Sequence, residues 1–144
     1  MIERSIIGVE SKPVTYEIEK GAIKKFAKAI GEDNPIYFNE DVAIEKGYPS
    51  LLAPITFPTT FREDVPDWFS KLDKNKLLHG EQSYTYHKRL FAGDKVDVTE
   101  AVTDVYEKSG SNGLLTFIIR VRKGYKEEAL LFTEQSTFII RGGK

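Results

Sequence analysis

A cluster of polar residues with acid-base potential lies directly after an apolar helical pattern. It contains Glu32, Asp33 and Asn34, followed by Pro35 and Tyr37. Two acids and a phenol so close together could take part in general acid-base catalysis. The same residues also fit a polar loop in which Asp33 or Asn34 caps the backbone and Pro35 fixes the exit direction. The residue types alone do not separate these two interpretations.

The other reactive residue types are sparse. His79 and His87 are the only histidines and lie eight positions apart at a predicted strand start, so they form neither a metal pair nor a nucleophile–base pair. We therefore predict no metal and no bound cofactor. His79 could take part in substrate binding or in an interface, or it could be a structural or surface histidine. No phosphate loop or serine nucleophile motif is present in the sequence.

The bulk properties indicate one globular domain over residues 1–144. The formal net charge is -1, and the 21 basic residues form no stripe or tail, so the sequence predicts no nucleic-acid or membrane partner. Cysteine is absent, which excludes disulfides and thiolate catalysis. The first twelve residues lack the apolar core of a signal peptide, and no stretch is long enough to span a membrane. These features predict a cytoplasmic protein.

The first half of the chain is predicted to form short strands and helices, and these elements must position the polar cluster. Residues 14–18 read as a strand, and residues 21–30 as an amphipathic helix with Ile23, Phe26, Ala27 and Ile30 on one face. Gly31 should end that helix. Residues 40–46 predict a short helix. A further helix should begin near Ile55 or Thr56, because Pro58 is tolerated only in a first helical turn.

The second half predicts four strands, over residues 82–90, 95–106, 114–122 and 130–140. Turn-rich connections at residues 92–94, 109–113 and 123–124 indicate an antiparallel meander. A helical half followed by such a meander predicts an α+β domain in which the sheet covers one buried helix. Residues 55–61, the most apolar segment, are the best candidate for that helix.

The polar cluster resembles the signature of MaoC-like hydratases, in which a helix ends in Gly-Asp-x-Asn-Pro, an aliphatic residue and then His. Gly31, Asn34, Pro35 and Ile36 match, whereas Glu32 and Tyr37 stand at the positions of the family's catalytic Asp and His. Moving a carboxylate by one methylene could lower the rate on the order of 100-fold. A phenol, which ionises near pH 10, is a poorer acid-base group at neutrality than an imidazole.

Two further blocks extend the resemblance to the fatty-acid-synthase-like dehydratase branch of this group. Residues 43–57 and residues 78–94 match in the same order, so the resemblance covers nearly the whole chain. It implies a hot-dog fold, an antiparallel sheet wrapped around a central helix. In the branch an Ala-Pro-Pro-Thr-Phe-like stretch opens that helix, which makes Pro54, Ile55 and Thr56 candidates for thioester binding through backbone N–H groups.

The resemblance implies a hydro-lyase subunit that interconverts 2-enoyl and 3-hydroxyacyl thioesters of coenzyme A or acyl-carrier protein. The altered catalytic pair resembles the non-catalytic subunits of heterodimeric dehydratases, so a hot-dog partner with an intact Asp/His motif is expected. In that case Glu32 and Tyr37 are vestigial catalytic positions, and Asn34 and His79 contribute to substrate binding. Two alternatives stay open: an active homo-oligomeric hydratase that uses Glu32, and a non-catalytic acyl-CoA binding module.

Overall fold

A computed structural model describes residues 2–63 and 65–142 of the chain, and a five-stranded antiparallel sheet dominates it. The strands are β1 (Val14–Glu17), β2 (Leu77–Tyr86), β3 (Lys95–Gly110), β4 (Gly113–Lys126) and β5 (Ala129–Arg141). Their order across the sheet is β1-β3-β4-β5-β2, and all neighbours are antiparallel. The meander β3-β4-β5 confirms the predicted α+β class.

Among the described residues, three short α-helices accompany the sheet: α1 (Lys20–Ala29), α2 (Glu40–Glu45) and α3 (Asp67–Ser70). Helix α1 confirms the predicted amphipathic helix, because Ile23 and Ala27 are fully buried on its inner face. Ile30 was predicted on the same face, but it is 48% exposed. As the C-cap residue it has left the helical geometry, so the spacing rule no longer places it. No helix in the described part of the chain is long and apolar enough to cross a membrane.

The predicted helix over residues 55–61 is wrong as an α-helix. The segment forms only a four-residue 3-10 turn, Phe57–Thr60. The hydroxyls of Thr59 and Thr60 each donate to a backbone carbonyl three residues earlier, which competes with α-helical pairing. Arg122 from β4 then donates to the carbonyls of Pro58 and Phe61, so a side chain takes acceptors that a longer helix would use.

The predicted turn at residues 123–124 is also wrong, because both residues lie inside β4. A Cβ at Gly124 would lie 2.1 Å from Cε1 of Phe132, so the glycine is needed to let this ring pack against the neighbouring strand. The turn falls instead at Glu127 and Glu128, which both adopt positive φ, at 49° and 71°. Positive φ at both central residues is the geometry of a tight hairpin turn with the twist of the strands.

One face of the sheet changes from apolar to polar and back along the strands. Directly paired residues form apolar or aromatic rows at its two ends: Val98, Gly124, Phe132 and Tyr86 at one end, and Val105, Ile118, Phe138 and His79 at the other. Between them lies a polar band, which we define as Glu100, Arg122, Glu134, Tyr84, Arg120, Ser136 and Gln82. The buried core accordingly divides into two clusters, one at each end of this face.

Candidate functional site

The loop that carries the predicted acid-base pair is set by the end of α1. Gly31 has a φ of 80°, and its N–H donates to the carbonyl of Lys28 at 3.2 Å. The N–H of Glu32 donates to the carbonyl of Ala27 at 2.9 Å. This pair of bonds is a Schellman motif, which uses a glycine because the left-handed conformation disfavours other residues. The backbone of Glu32 is therefore fixed directly against the helix end.

Asn34 continues the same loop as a capping residue. Its Oδ1 accepts the N–H of Ile36 at 3.2 Å, and its carbonyl accepts the N–H of Tyr37 at 3.1 Å. These bonds begin the 3-10 turn Pro35–Tyr37. The local structure thus follows the polar-loop interpretation of the sequence for Asn34, with its carboxamide oxygen already committed to the backbone.

The side chains of Glu32 and Tyr37 are half-buried and make no hydrogen bond to any other residue within 2–63 or 65–142. A general acid or base needs a second group that orients it or exchanges a proton with it. This single chain supplies neither side chain with such a group among the residues described. The loop places the predicted pair at its two ends but does not complete a catalytic constellation.

The segment predicted to bind a thioester carbonyl has a different geometry from the one expected. Pro54 is buried, Ile55 is 49% exposed, and the turn that follows Thr56 has only four residues. A turn of this length aligns few peptide dipoles. The prediction that a helix dipole helps to bind the thioester carbonyl is therefore wrong for this segment. The N–H groups of Ile55 and Thr56 nevertheless have no acceptor in the described part of the chain. The hydroxyl of Tyr86 fixes the segment by donating to the carbonyl of Ile55 at 2.5 Å.

A buried ion pair lies at the centre of the polar band. Nε of Arg122 donates to Oε1 of Glu134, and these residues are only 6% and 1% exposed. The other carboxylate oxygen, Oε2, accepts from the hydroxyl of Tyr84 at 2.7 Å and from the amide of Gln82. The two remaining nitrogens of Arg122 donate to the carbonyls of Phe61 at 2.7 Å and Pro58 at 2.6 Å. Each nitrogen of the Arg122 guanidinium and each oxygen of the Glu134 carboxylate thus has a hydrogen-bond partner, which a buried ion pair needs to be stable.

The electrostatics of the pair follow from these bonds. Burial acts to raise the pKa of Glu134, but the hydrogen bond and charge of Arg122, aided by the Tyr84 hydroxyl, outweigh it and lower the pKa. Burial and the neighbouring Glu134 carboxylate raise the pKa of Tyr84. The Tyr84 phenol therefore stays a neutral donor and the Glu134 carboxylate stays charged near neutral pH.

A pocket of about 410 Å³ lies between the polar band and residues 59–62 and 65–69. Its size falls in the range of small-molecule sites. Apolar side chains form one part of the wall: Phe61, Val65, Pro66, Phe69 and Phe138. Polar and charged side chains form the rest: Thr59, Arg62, His79, Gln82, Glu100, Arg120, Arg122, Glu134 and Ser136.

Of the candidate site residues predicted from the sequence, one lines this pocket. His79 does so, and its ring lies 5.4 Å from that of Phe138. Glu32, Asn34 and Tyr37 lie in the loop after α1, and residues 54–56 end three positions before Thr59, the first residue of the pocket lining. The predicted acid-base pair, Glu32 and Tyr37, is therefore not part of the lining of this pocket.

Sequence reasoning missed the polar band, although a signal for it existed. Alternate positions of β3, residues 96, 98, 100 and 102, are Val, Val, Glu and Val. Alternate positions of β5, residues 132, 134, 136 and 138, are Phe, Glu, Ser and Phe. A charged residue on an otherwise apolar face is the informative exception in such a pattern. Only the strand register shows that Glu100, Glu134 and the two arginines lie in two adjacent rows of the sheet.

The sequence comparisons identify the family. Residues 5–134 match the model described as the FAS1-like, dehydratase domain region. A UPF0336 protein of Saccharopolyspora erythraea is 30% identical over 147 residues, covering 98% of this chain and 92% of that protein.

Two solved structures resemble the chain over nearly its whole length. One is the C-terminally truncated HadBC (3R-hydroxyacyl-ACP dehydratase) complex from Mycobacterium tuberculosis, with a TM-score of 0.80, 26% identity and coverage of 93% of this chain and 96% of that chain. The other is the ChsH1-ChsH2 complex from the same organism, with a TM-score of 0.77, 20% identity and coverage of 92% and 88%. These matches confirm the hot-dog fold.

Proposed function

Since the chain belongs to the FAS1-like dehydratase-region family, we propose that it is one subunit of a hydro-lyase acting on 2-enoyl or 3-hydroxyacyl thioesters. In this proposal it is the substrate-binding and stabilising half, and a hot-dog partner supplies the acid and base. The thioester carrier is coenzyme A or acyl-carrier protein, the protein needs no cofactor, and its location is cytoplasmic.

The observation that carries the proposal is the state of the acid-base loop. Glu32 and Tyr37 stand where MaoC-like hydratases have Asp and His, and neither side chain has a hydrogen-bond partner among the described residues. Asn34, whose position matches the family motif, is used as a backbone cap. A loop that keeps its shape but lacks its catalytic groups fits a subunit that retains the fold and leaves the chemistry to a second chain.

The similar structures support a two-chain assembly. HadBC and ChsH1-ChsH2 are both complexes, and this chain resembles them at TM-scores of 0.80 and 0.77. In the proposed complex the free N–H groups of Ile55 and Thr56 bind the thioester carbonyl, which would use donors that have no acceptor within the described chain.

The test is a hydration assay with crotonyl-CoA, on this chain alone and on its complex with a hot-dog chain that carries an intact Asp-x-Asn-Pro-x-His motif, encoded by a neighbouring gene. We expect the chain alone to be inactive and the complex to be active. Glu32→Gln and Tyr37→Phe should leave the complex with most of its activity. Asp33→Asn, which changes the adjacent exposed acid of the same loop, is the matched control.

Two results would contradict the proposal. Normal hydration rates from the chain alone, lost in Tyr37→Phe or Glu32→Gln, would show an active homo-oligomer that uses this pair. Tight acyl-CoA binding without turnover, either alone or with candidate partners, would show a binding module.

A further inference from the structure

Within the polar band of the described chain, Arg122 and Glu134 are fully hydrogen-bonded, whereas Arg120 is not. Arg122 and Glu134 satisfy each other and have partners on their remaining polar atoms. Arg120 lines the same pocket, but NH2 of its guanidinium reaches Oγ of Ser136 only at 3.5 Å. Its buried Nε has no hydrogen-bond acceptor among residues 2–63 and 65–142. Leaving a buried charged donor unsatisfied is unfavourable, so an acceptor brought by a ligand would be stabilising there.

The electrostatic setting of Arg120 favours an anionic acceptor. Burial and the positive charge of Arg122 both lower the pKa of Arg120, while Glu100 and Glu134 act in the opposite direction. Both carboxylate oxygens of Glu134 are already hydrogen-bonded to other residues. A ligand anion beside Arg120 would oppose the destabilisation of its charged form and add charge-assisted hydrogen bonds.

The rest of the pocket requires an apolar body on the same ligand. The rings of Phe69 and Phe138 are in edge contact at 5.3 Å, and Val65 and Pro66 extend this apolar wall. The guanidinium carbon of Arg120 lies 5.0 Å from the centre of the Phe138 ring, so the charged group and the apolar wall adjoin each other. A ligand that occupies both must be amphiphilic.

We propose that this pocket binds a carboxylate-bearing amphiphile, with its carboxylate on Arg120 and its aliphatic body against Phe69, Phe138 and Val65. The inference goes beyond the proposed function, because it concerns a ligand that this chain recognises by itself, without a thioester or a partner subunit. Ser136, which pairs with Arg120, and Gln82, which pairs with Ser136 on the next strand, also line the pocket and offer further polar atoms at the carboxylate end.

The chain contains a suitable probe for this binding. Trp68 is the only tryptophan, and its ring lies 5.6 Å from Phe69 and 6.4 Å from Phe138, which both line the pocket. Titration with octanoate, followed by Trp68 fluorescence and by calorimetry, therefore reports on this site. Octan-1-ol and octylamine are the comparison ligands, since they share the aliphatic body but carry a neutral or a cationic end.

We expect octanoate to bind at least about 10-fold more tightly than octan-1-ol, because a hydrogen bond between charged groups stabilises more than a neutral one. Arg120→Met keeps an apolar stem of similar length and should remove this preference while leaving octan-1-ol binding intact. Val65→Ser should weaken both ligands alike. Arg141→Met, on the exposed end of β5 outside the pocket, is the matched control and should change neither.

Equal affinity of the wild-type chain for octanoate and octan-1-ol, stronger binding of octylamine, or no saturable octanoate binding would each overturn the inference. Octanoate binding that survives unchanged in Arg120→Met would do the same. The comparison of ligands on the wild-type chain does not depend on the folding of any variant. Because no thioester is involved, this experiment and the hydration assay can fail independently.

Discussion

Removing one partner of the buried ion pair between Arg122 and Glu134 should be strongly destabilising, and Glu134→Gln is the most direct way to measure that cost. This substitution keeps the shape of the side chain and one oxygen that can accept the Tyr84 hydroxyl. It removes the negative charge while Arg122, which is 6% exposed, stays in place. The variant therefore leaves a buried cation without its counter-ion.

The magnitude follows from the burial of both partners. Removing one partner of a buried ion pair typically costs about 3 to 5 kcal/mol, because the remaining charge is uncompensated. The Glu134 carboxylate also accepts a hydrogen bond from the amide of Gln82. In the variant, the Gln82 amide would face another carboxamide, which has donors as well as an acceptor. The retained bonds from Arg122 to the carbonyls of Pro58 and Phe61 moderate the loss. We therefore expect the unfolding free energy to fall by about 3 kcal/mol.

The assay is urea unfolding at pH 7, with Glu81→Gln as the control for an exposed glutamate on the neighbouring strand β2. Arg122→Met and the double variant complete a double-mutant cycle, in which we expect a coupling of about 1 to 3 kcal/mol between the two side chains. A loss below about 1 kcal/mol in Glu134→Gln, comparable to a surface substitution, would refute the reasoning.

The same pair predicts a pH dependence. The pKa of Glu134 is lower in the folded chain than its ordinary value of about 4.3, so the folded state binds this proton less readily than the unfolded state. The stabilisation is therefore present above about pH 4.3 and is lost as the pH falls through the folded-state pKa. We expect the difference in unfolding free energy between the wild type and Glu134→Gln to shrink on acidification below about pH 4.3. A difference that stays constant down to about pH 3 would contradict this sign.

Three backbone predictions can be checked by the same unfolding measurement. Gly124→Ala should destabilise by about 2 to 3 kcal/mol, because its Cβ would overlap the fully buried Phe132 ring; an unchanged midpoint would show that the ring can move. Gly21→Ala, in α1 with open space around the new Cβ, should instead stabilise by about 0.5 kcal/mol, and a loss would contradict the helix assignment. Asn34→Ala should cost about 1 kcal/mol by removing the cap on Ile36, with Asn75→Ala as an exposed control.

The elements that could be predicted from the sequence are those fixed by local patterns. Helix α1 ends at the predicted glycine because a Schellman motif involves only residues 27–32. The long strands follow from period-two alternation, and the hot-dog fold followed from a resemblance spread over three ordered blocks. In each case the deciding residues are close in the chain or occur in a fixed order.

The errors occur where a distant residue decides the local structure. Gly124 looked like a turn residue, but Phe132 on the next strand makes it a site of close approach. Residues 55–61 looked helical, but Arg122, more than sixty positions away, occupies their carbonyls. The polar band was missed for the same reason, since each strand contributes only one or two of its residues and the register unites them.

The ion pair connects these features physically. Arg122 is held by Glu134 on one side and holds the carbonyls of Pro58 and Phe61 on the other, so it fixes the segment that separates residues 54–56 from the pocket. Phe61 itself lines the pocket, and the free N–H groups of Ile55 and Thr56 lie just before the turn. A buried pair that stabilised the fold alone could be replaced by apolar residues without loss. In the proposed complex, Arg122 would also fix the turn that directly follows the thioester donors Ile55 and Thr56, so we expect weakening the pair to impair substrate binding as well as stability.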